Sequence, residues 1–172
     1  MTSNKPSTSM KERQVAHQYR ATLKWSRGGA VFTDQRYSRG HTWTFDGGIV
    51  VPASSSPLSV RLPYSVAEAV DPEEAFVAAV ASCHLLTFLY VAAKQGYVVD
   101  SYADEAVGEM TKNERGKLWV SKVILAPAIT FAGDKRPSQE QLEELHHLAH
   151  EECFIANSVR SEVVVHGAMS FV

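Results

Sequence analysis

Two cysteines, Cys83 and Cys153, are the residues of this 172-residue chain best suited to covalent chemistry. Cys83 lies in the apolar run "VAAVASCHLLTFLYVAAK", directly before His84, and Cys153 closes the segment "SQEQLEELHHLAHEEC". Three chemistries are open to such a pair. Buried thiols often serve only as small hydrophobes. Thiolates with imidazoles can bind zinc: His146, His150 and Cys153 stand at i, i+4 and i+7, and Cys83 and His84 are available to complete a tetrahedron. That spacing matches no finger or ribbon signature, and adjacent Cys-His side chains on a straight helix do not both aim at one ion. Thirdly, two thiols that meet can cycle between dithiol and disulfide, which requires Cα atoms within about 7 Å.

The redox reading has further requirements. The attacking species is a thiolate, so an apolar site must also hold a positive group. Arginine suits that role because it stays charged and can fork to two partners. A carboxylate that orients the arginine would complete the set, and Glu73 is a candidate. Ten residues separate Glu73 from Cys83, about 15 Å along a helix, so one chain cannot place both in one site. Two copies with their helices antiparallel would bring Glu73 of one to Cys83 of the other, twice per twofold dimer. The alternative for Glu73 is a charge that merely suits the positive end of a helix.

The elements that must position these groups read as follows. "QVAHQYRATLKW" is a predicted strand, "SRGG" a turn and "AVFTDQRY" its hairpin partner. "HTWTFDGG" is a third strand, and "IVVPASSSPLSVRLPYS" a loop or ragged edge. A helix is predicted from Asp71 (N-cap) and Pro72 (N1) to Lys94, with Gly96 at C′. It is apolar almost all round and is expected to be buried on most sides. "YVVDSYADEAVGEMTKN" and "KLWVSKVILAPAITFAG" read as two long strands about an "ERG" turn. A second helix starts with the capping box Ser138–Gln141. Counted from Leu142 at about 100° per residue, Leu145, Ala149 and Cys153 fall on one apolar stripe, with His146 and His150 flanking it. "SEVVVHGAMSFV" closes the chain as a strand. The order gives an α+β fold, antiparallel sheets packed on central helices.

Composition is ordinary for a soluble globular protein, 45% hydrophobic and 21% charged. A net charge of −2 without a basic block argues against nucleic-acid and anionic-membrane partners. Residues 1–12 read as a disordered or artificially added tail, and 13–172 as a single domain. The N-terminus shows no apolar signal segment, so a cytoplasmic location is expected. The run Ala75–Ala93 is long enough to span a membrane, but its Ser, Cys, His and Thr content and its acidic N-terminal flank favour a buried soluble helix.

"DPEEAFVAAVASCHLLTF" together with "EECFIANSV" resembles the OsmC/Ohr family, osmotically inducible protein C-like organic hydroperoxide reductases. The resemblance runs from about Tyr19 to the C-terminus. Its most specific parts are Pro-Glu ten residues before a helix cysteine and a second cysteine in a C-x-x-A/S-N context; "YSRGHTWTFDGG" and "VVDSYADEAVG" look like one cytoplasmic branch. The resemblance implies an intertwined homodimer with two interface sites, no cofactor and no metal. It implies a thiol peroxidase that reduces alkyl or fatty-acid hydroperoxides to alcohols, with Cys83 peroxidatic, Cys153 resolving and Glu73 orienting an arginine. That arginine is Arg39 of "YSRGH" or, as the alternative, Arg27 of "WSRGG". The reductant would be a dithiol, lipoyl-type or small. His84 departs from the aromatic residue usual in the Ohr branch; it could tune the thiol, bind substrate or fill the core. Two further readings on the same fold are a zinc-binding protein and a non-catalytic small-molecule-binding stress protein.

Overall fold

The computed structural model describes residues 16–172. The tail expected at 1–12 lies outside the described residues. Three short strands come first, β1 (Ala21–Lys24), β2 (His41–Phe45) and β3 (Val50–Ala53), paired antiparallel in that order. They are followed by α1 (Pro72–Lys94), β4 (Val98–Asp104), β5 (Val107–Lys112), β6 (Leu118–Leu125) and β7 (Pro127–Ala132). Then come α2 (Gln139–Glu152), a 3-10 turn at Ala156–Ser158, β8 (Glu162–Val165) and β9 (Ala168–Phe171).

Both helices start where local chemistry dictates. At α1, Asp71 Oδ1 accepts from the Glu74 amide at 2.8 Å and Glu74 Oε2 accepts from the Asp71 amide at 3.1 Å. At α2, Ser138 Oγ accepts from the Gln141 amide and Gln141 Oε1 from the Ser138 amide. These reciprocal bonds satisfy amides that have no partner inside the helix. Gly96, at φ +79°, ends α1 in the left-handed region that a side chain would disfavour.

Three expected long strands are each broken at one level. β4 gives way to β5 at Glu105–Ala106, β6 to β7 at Ala126, and β8 to β9 at His166–Gly167. The halves sort into two three-stranded sheets, β5-β6-β8 and β4-β7-β9. Asp104 Oδ1 accepts from the Ala126 amide at 2.7 Å and pins the break. The outer pairings β6–β8 and β7–β9 are parallel, so these two sheets are mixed. Helix α2 and the inner face of β7 pack on α1 through Phe88, Val91, Ala92, Ile129, Leu142, Leu145 and other buried side chains. A second cluster, Val80 with Val123 and Leu125, joins α1 to β6.

Two expectations need correction and a third is resolved. "AVFTDQRY" forms turns, not a strand; its Phe32 and Tyr37 stack with ring centroids 4.7 Å apart, and Trp25 packs edge-on to Tyr37. These aromatic side chains pack on one another in a loop cluster instead of lining a ladder. "IVVPA", expected as a loop or ragged edge, supplies the edge strand β3, which tolerates Pro52 for that reason. Helix α1 is not covered on most sides. Its 23 residues are long and apolar enough to cross a membrane, yet one face packs on α2 and strands while another is bare, with Leu86 64% and Tyr90 63% exposed. The described residues cover only one side of this helix.

Candidate active site

The two thiols meet. Cys83 lies at the middle of α1, where its Sγ accepts from the Ile155 amide at 3.4 Å. Cys153 is the C-cap of α2, fully buried, and its Sγ accepts from the Ala156 amide, also at 3.4 Å. Both cysteines are free thiols. Burial pushes the Cys153 thiol up to about 11, and hydrogen bonding with Cys83 adds to the shift. Cys153 therefore keeps its proton at neutral pH and is held as a poor first nucleophile. Cys83 is half-buried and the more accessible of the two.

The turn that carries Cys153 is tied by a residue to which no role fell in the sequence reading. Asn157 Nδ2 donates to the carbonyls of Glu151 (2.7 Å) and Cys153 (3.0 Å), while its amide donates to the Cys153 carbonyl. This explains the "C-x-x-A-N" spacing: the asparagine caps the end of α2, and the chain then turns so that the Ile155 and Ala156 amides face the two sulfurs. The motif was the available signal; which atoms Asn157 engages was not readable from it.

Arg39 and Glu73 come to one cavity of about 410 Å³, walled by Trp25, Phe32, Tyr37 and His41. The Arg39 guanidinium lies 3.9 Å over the Tyr37 ring and donates to the Gln35 and Tyr37 carbonyls. Arg27 instead closes its own turn, donating to the Ala30 carbonyl at 2.8 Å. Among the described residues the donor at Cys83 is an amide, not a guanidinium. A larger cavity of about 920 Å³ follows another face of α1, along Val77, Ala78, Ala81, Ser82 and Leu85, with Glu73 and Asp104 at its polar margin. The serine-rich loop contributes Ser56 and Ser59 to both cavities.

The histidines divide. His84 is 1% exposed, and its Nε2 shares a hydrogen bond of 3.0 Å with Nδ1 of His146. The rings stack at 5.3 Å, and Phe88 packs on His146 at 4.6 Å. Burial lowers both imidazoles to about 4, so the pair is neutral at physiological pH. His147 is exposed and pairs with Glu151 at 3.5 Å. Among the described residues no three His, Cys, Asp or Glu side chains converge to hold a metal ion. His146 turns to His84 rather than joining His150 and Cys153 on an ion.

Fold and site together define a class: an α+β protein that presents a thiol pair, one on a central helix and one at the end of a second. The family model described as OsmC-like protein matches residues 65–166. The chain belongs to the OsmC-like family. An OsmC-like protein of unknown function from Vibrio cholerae is 54% identical, with a TM-score of 0.86, over 89% of this chain and 100% of that one. An organic hydroperoxide resistance protein from Elizabethkingia anophelis shares the fold at 17% identity and TM-score 0.63, over 93% and 100%. The organic hydroperoxide resistance protein OhrB of Bacillus subtilis shares it at 20% and 0.56, over 90% and 98%. No curated protein matches the chain.

Proposed function

We propose that this protein is a cytoplasmic, thiol-dependent peroxidase that reduces organic hydroperoxides to alcohols. The observation that carries the reading is the meeting of an accessible Cys83 with a buried, protonated Cys153. The Cys83 thiolate attacks the distal oxygen of the hydroperoxide. The O–O bond breaks, the alkoxide takes a proton and leaves as alcohol, and Cys83 becomes a sulfenic acid. Cys153 then attacks that sulfur; the S–O bond breaks, and hydroxide leaves with the thiol proton as water. A dithiol reduces the resulting Cys83–Cys153 disulfide by exchange.

The active unit in this reading is a homodimer. Glu73 stands ten residues before Cys83 on α1, about 15 Å away along the axis, and Arg39 lines the Glu73 cavity. The bare face of α1 (Leu86, Leu89, Tyr90), the exposed Leu23 and Phe45 of the first sheet and Ile49 in the β2–β3 connection are the surfaces a second copy would cover. Such a copy would bring its Arg39–Glu73 cavity to Cys83, with Trp25, Phe32 and Tyr37 as walls for an alkyl or aryl tail. Each buried CH₂ favours an organic over hydrogen peroxide by about 0.8 kcal/mol. The fold is shared with proteins named for organic hydroperoxide resistance, which supports this substrate class.

The test is single turnover of reduced protein with cumene hydroperoxide, comparing Cys83→Ser and Cys153→Ser. Cys153→Ser should release one alcohol and accumulate a trappable sulfenic acid, and Cys83→Ser should release none. Turnover by Cys83→Ser would refute the reading.

A further inference from the structure

Away from the two thiols, the contact between α1 and α2 is largely apolar. Phe88, Val91 and Ala92 face Leu142, Leu145 and Ala149, and such surfaces have little directional preference. The His84–His146 hydrogen bond is directional. It lies one residue from Cys83 on α1 and seven residues before Cys153 on α2. Seven residues of helix span about 10 Å, so a 10° swing of α2 about this bond would move Cys153 by about 2 Å. Disulfides form over a Cα–Cα range only about 2.5 Å wide. The bond thus sits where it governs whether the second sulfur reaches the first.

His146 is contacted on three sides. Nδ1 meets His84, Phe88 covers a ring face, and Nε2 faces the backbone of Gly167 with no hydrogen-bond partner among the described residues. The approach is so close that a methyl placed on Gly167 would overlap Nε2 and come within 2.7 Å of Cδ2. A bare lone pair tolerates a Cα–H there, whereas an N–H would oppose hydrogen to hydrogen. The tautomer follows: His146 carries its proton on Nδ1 and donates it to His84 Nε2.

We propose that His84 and His146 are positioning residues for disulfide closure, locking α2 at the angle that delivers Cys153 to Cys83. This inference rests on the thiol-pair reading above and gives His84 a role apart from substrate and from the first chemical step. His84 does not touch the peroxide; it acts through the placement of Cys153.

The test separates the two steps. Reduced protein is mixed with one equivalent of cumene hydroperoxide, and sulfenic acid (by dimedone capture) and disulfide (by loss of the second thiol) are followed in time. In His84→Leu, sulfenic acid should form within about twofold of the wild-type rate while closure slows about tenfold or more, with dimedone capture rising in proportion. His84→Gln places an acceptor oxygen near the position of Nε2 and should restore closure. Leu142→Ala, which loosens the same interface without touching the bond, should lower thermal stability and leave closure unchanged. Should His84→Leu not fold, His84→Asn, whose amide falls short, is compared with His84→Gln in its place. Equal closure in the Leu (or Asn) and Gln variants, or equal slowing in Leu142→Ala, would overturn the inference. Diamide, an azo oxidant that couples neighbouring thiols and is itself reduced to the hydrazine, gives the same comparison without any peroxide. A protein inert to hydroperoxide but showing the His84 dependence with diamide would sink the peroxidase reading and keep this one. The reverse pattern, turnover without His84 dependence, would do the opposite.

Discussion

Replacing Gly167 by alanine tests the clamp around His146 through sterics alone. Gly167 lies outside the left-handed φ region, so alanine meets no backbone penalty there. The new methyl would collide with the imidazole, which His84 and Phe88 hold from two other sides. Forcing volume into a packed core costs typically 1–3 kcal/mol, and an immobile neighbour puts this site at about 3. The lost freedom of glycine in the unfolded chain returns about 0.4–1 kcal/mol. The net loss is about 2 kcal/mol, a fall in Tm of about 4–8 °C for a chain of this length. Circular dichroism melts of Gly167→Ala beside Gly47→Ala measure it, since a methyl at Gly47 meets nothing within 4 Å. The pair Gly167→Ala/His146→Asn supplies a double-mutant cycle: the smaller side chain vacates the contested space, so the two changes should cost less together than summed. A Tm for Gly167→Ala equal to or above wild type, or strict additivity in the cycle, would refute the close approach and with it the tautomer assigned to His146.

Other outcomes follow from the same geometry. His84 is lowered from 6.5 to about 4 by burial, so between those values the unfolded chain binds a proton that the fold excludes; its contribution is complete above pH 6.5 and is lost as pH falls toward 4. That shift corresponds to roughly 3 kcal/mol, and the steep fall in Tm over this range should flatten in His84→Gln/His146→Asn. Arg39→Ala should lower the rate of sulfenic acid formation by about 10²-fold or more, whereas Arg27→Ala, which loses only a turn contact, should leave it near wild type; equal effects would remove Arg39 from the site. Leu86→Glu/Tyr90→Glu on the bare face of α1 should yield monomers in sedimentation and depress that first step, because Arg39 and Glu73 then no longer reach the thiol of a second copy.

What the sequence disclosed and what it hid divides along physical lines. Helix caps are local: the Asp71 N-cap and the Ser138–Gln141 box each lie within one turn, so they were readable residue by residue, while the return bond from Glu74 to Asp71 was not anticipated. The inward direction of Cys153 followed from helical periodicity, and its burial agrees. The break of three strands at one level was hidden, since Ala106, Ala126 and Gly167 look unremarkable singly and bend only as a set across the sheets. The Trp25–Phe32–Tyr37 cluster has the composition of a strand but spends it on mutual packing in a loop. His84 was ambiguous because its partner is 62 residues away and nothing near either residue marks the pairing. Arg39 and Arg27 sit in similar glycine-bearing turns, and only their surroundings separate them: one lines the cavity of Glu73, the other bonds to its own loop.

The most direct test of the thiol-pair chemistry is a stoichiometric oxidation. Reduced protein receives one equivalent of cumene hydroperoxide under anaerobic conditions, followed by thiol titration, alcohol quantification and mass-spectrometric mapping of crosslinked peptides. The expected result is one alcohol formed and two thiols lost per chain, with Cys83 joined to Cys153 of the same chain. Thiols that survive while the hydroperoxide persists, or a crosslink other than Cys83–Cys153, would contradict it.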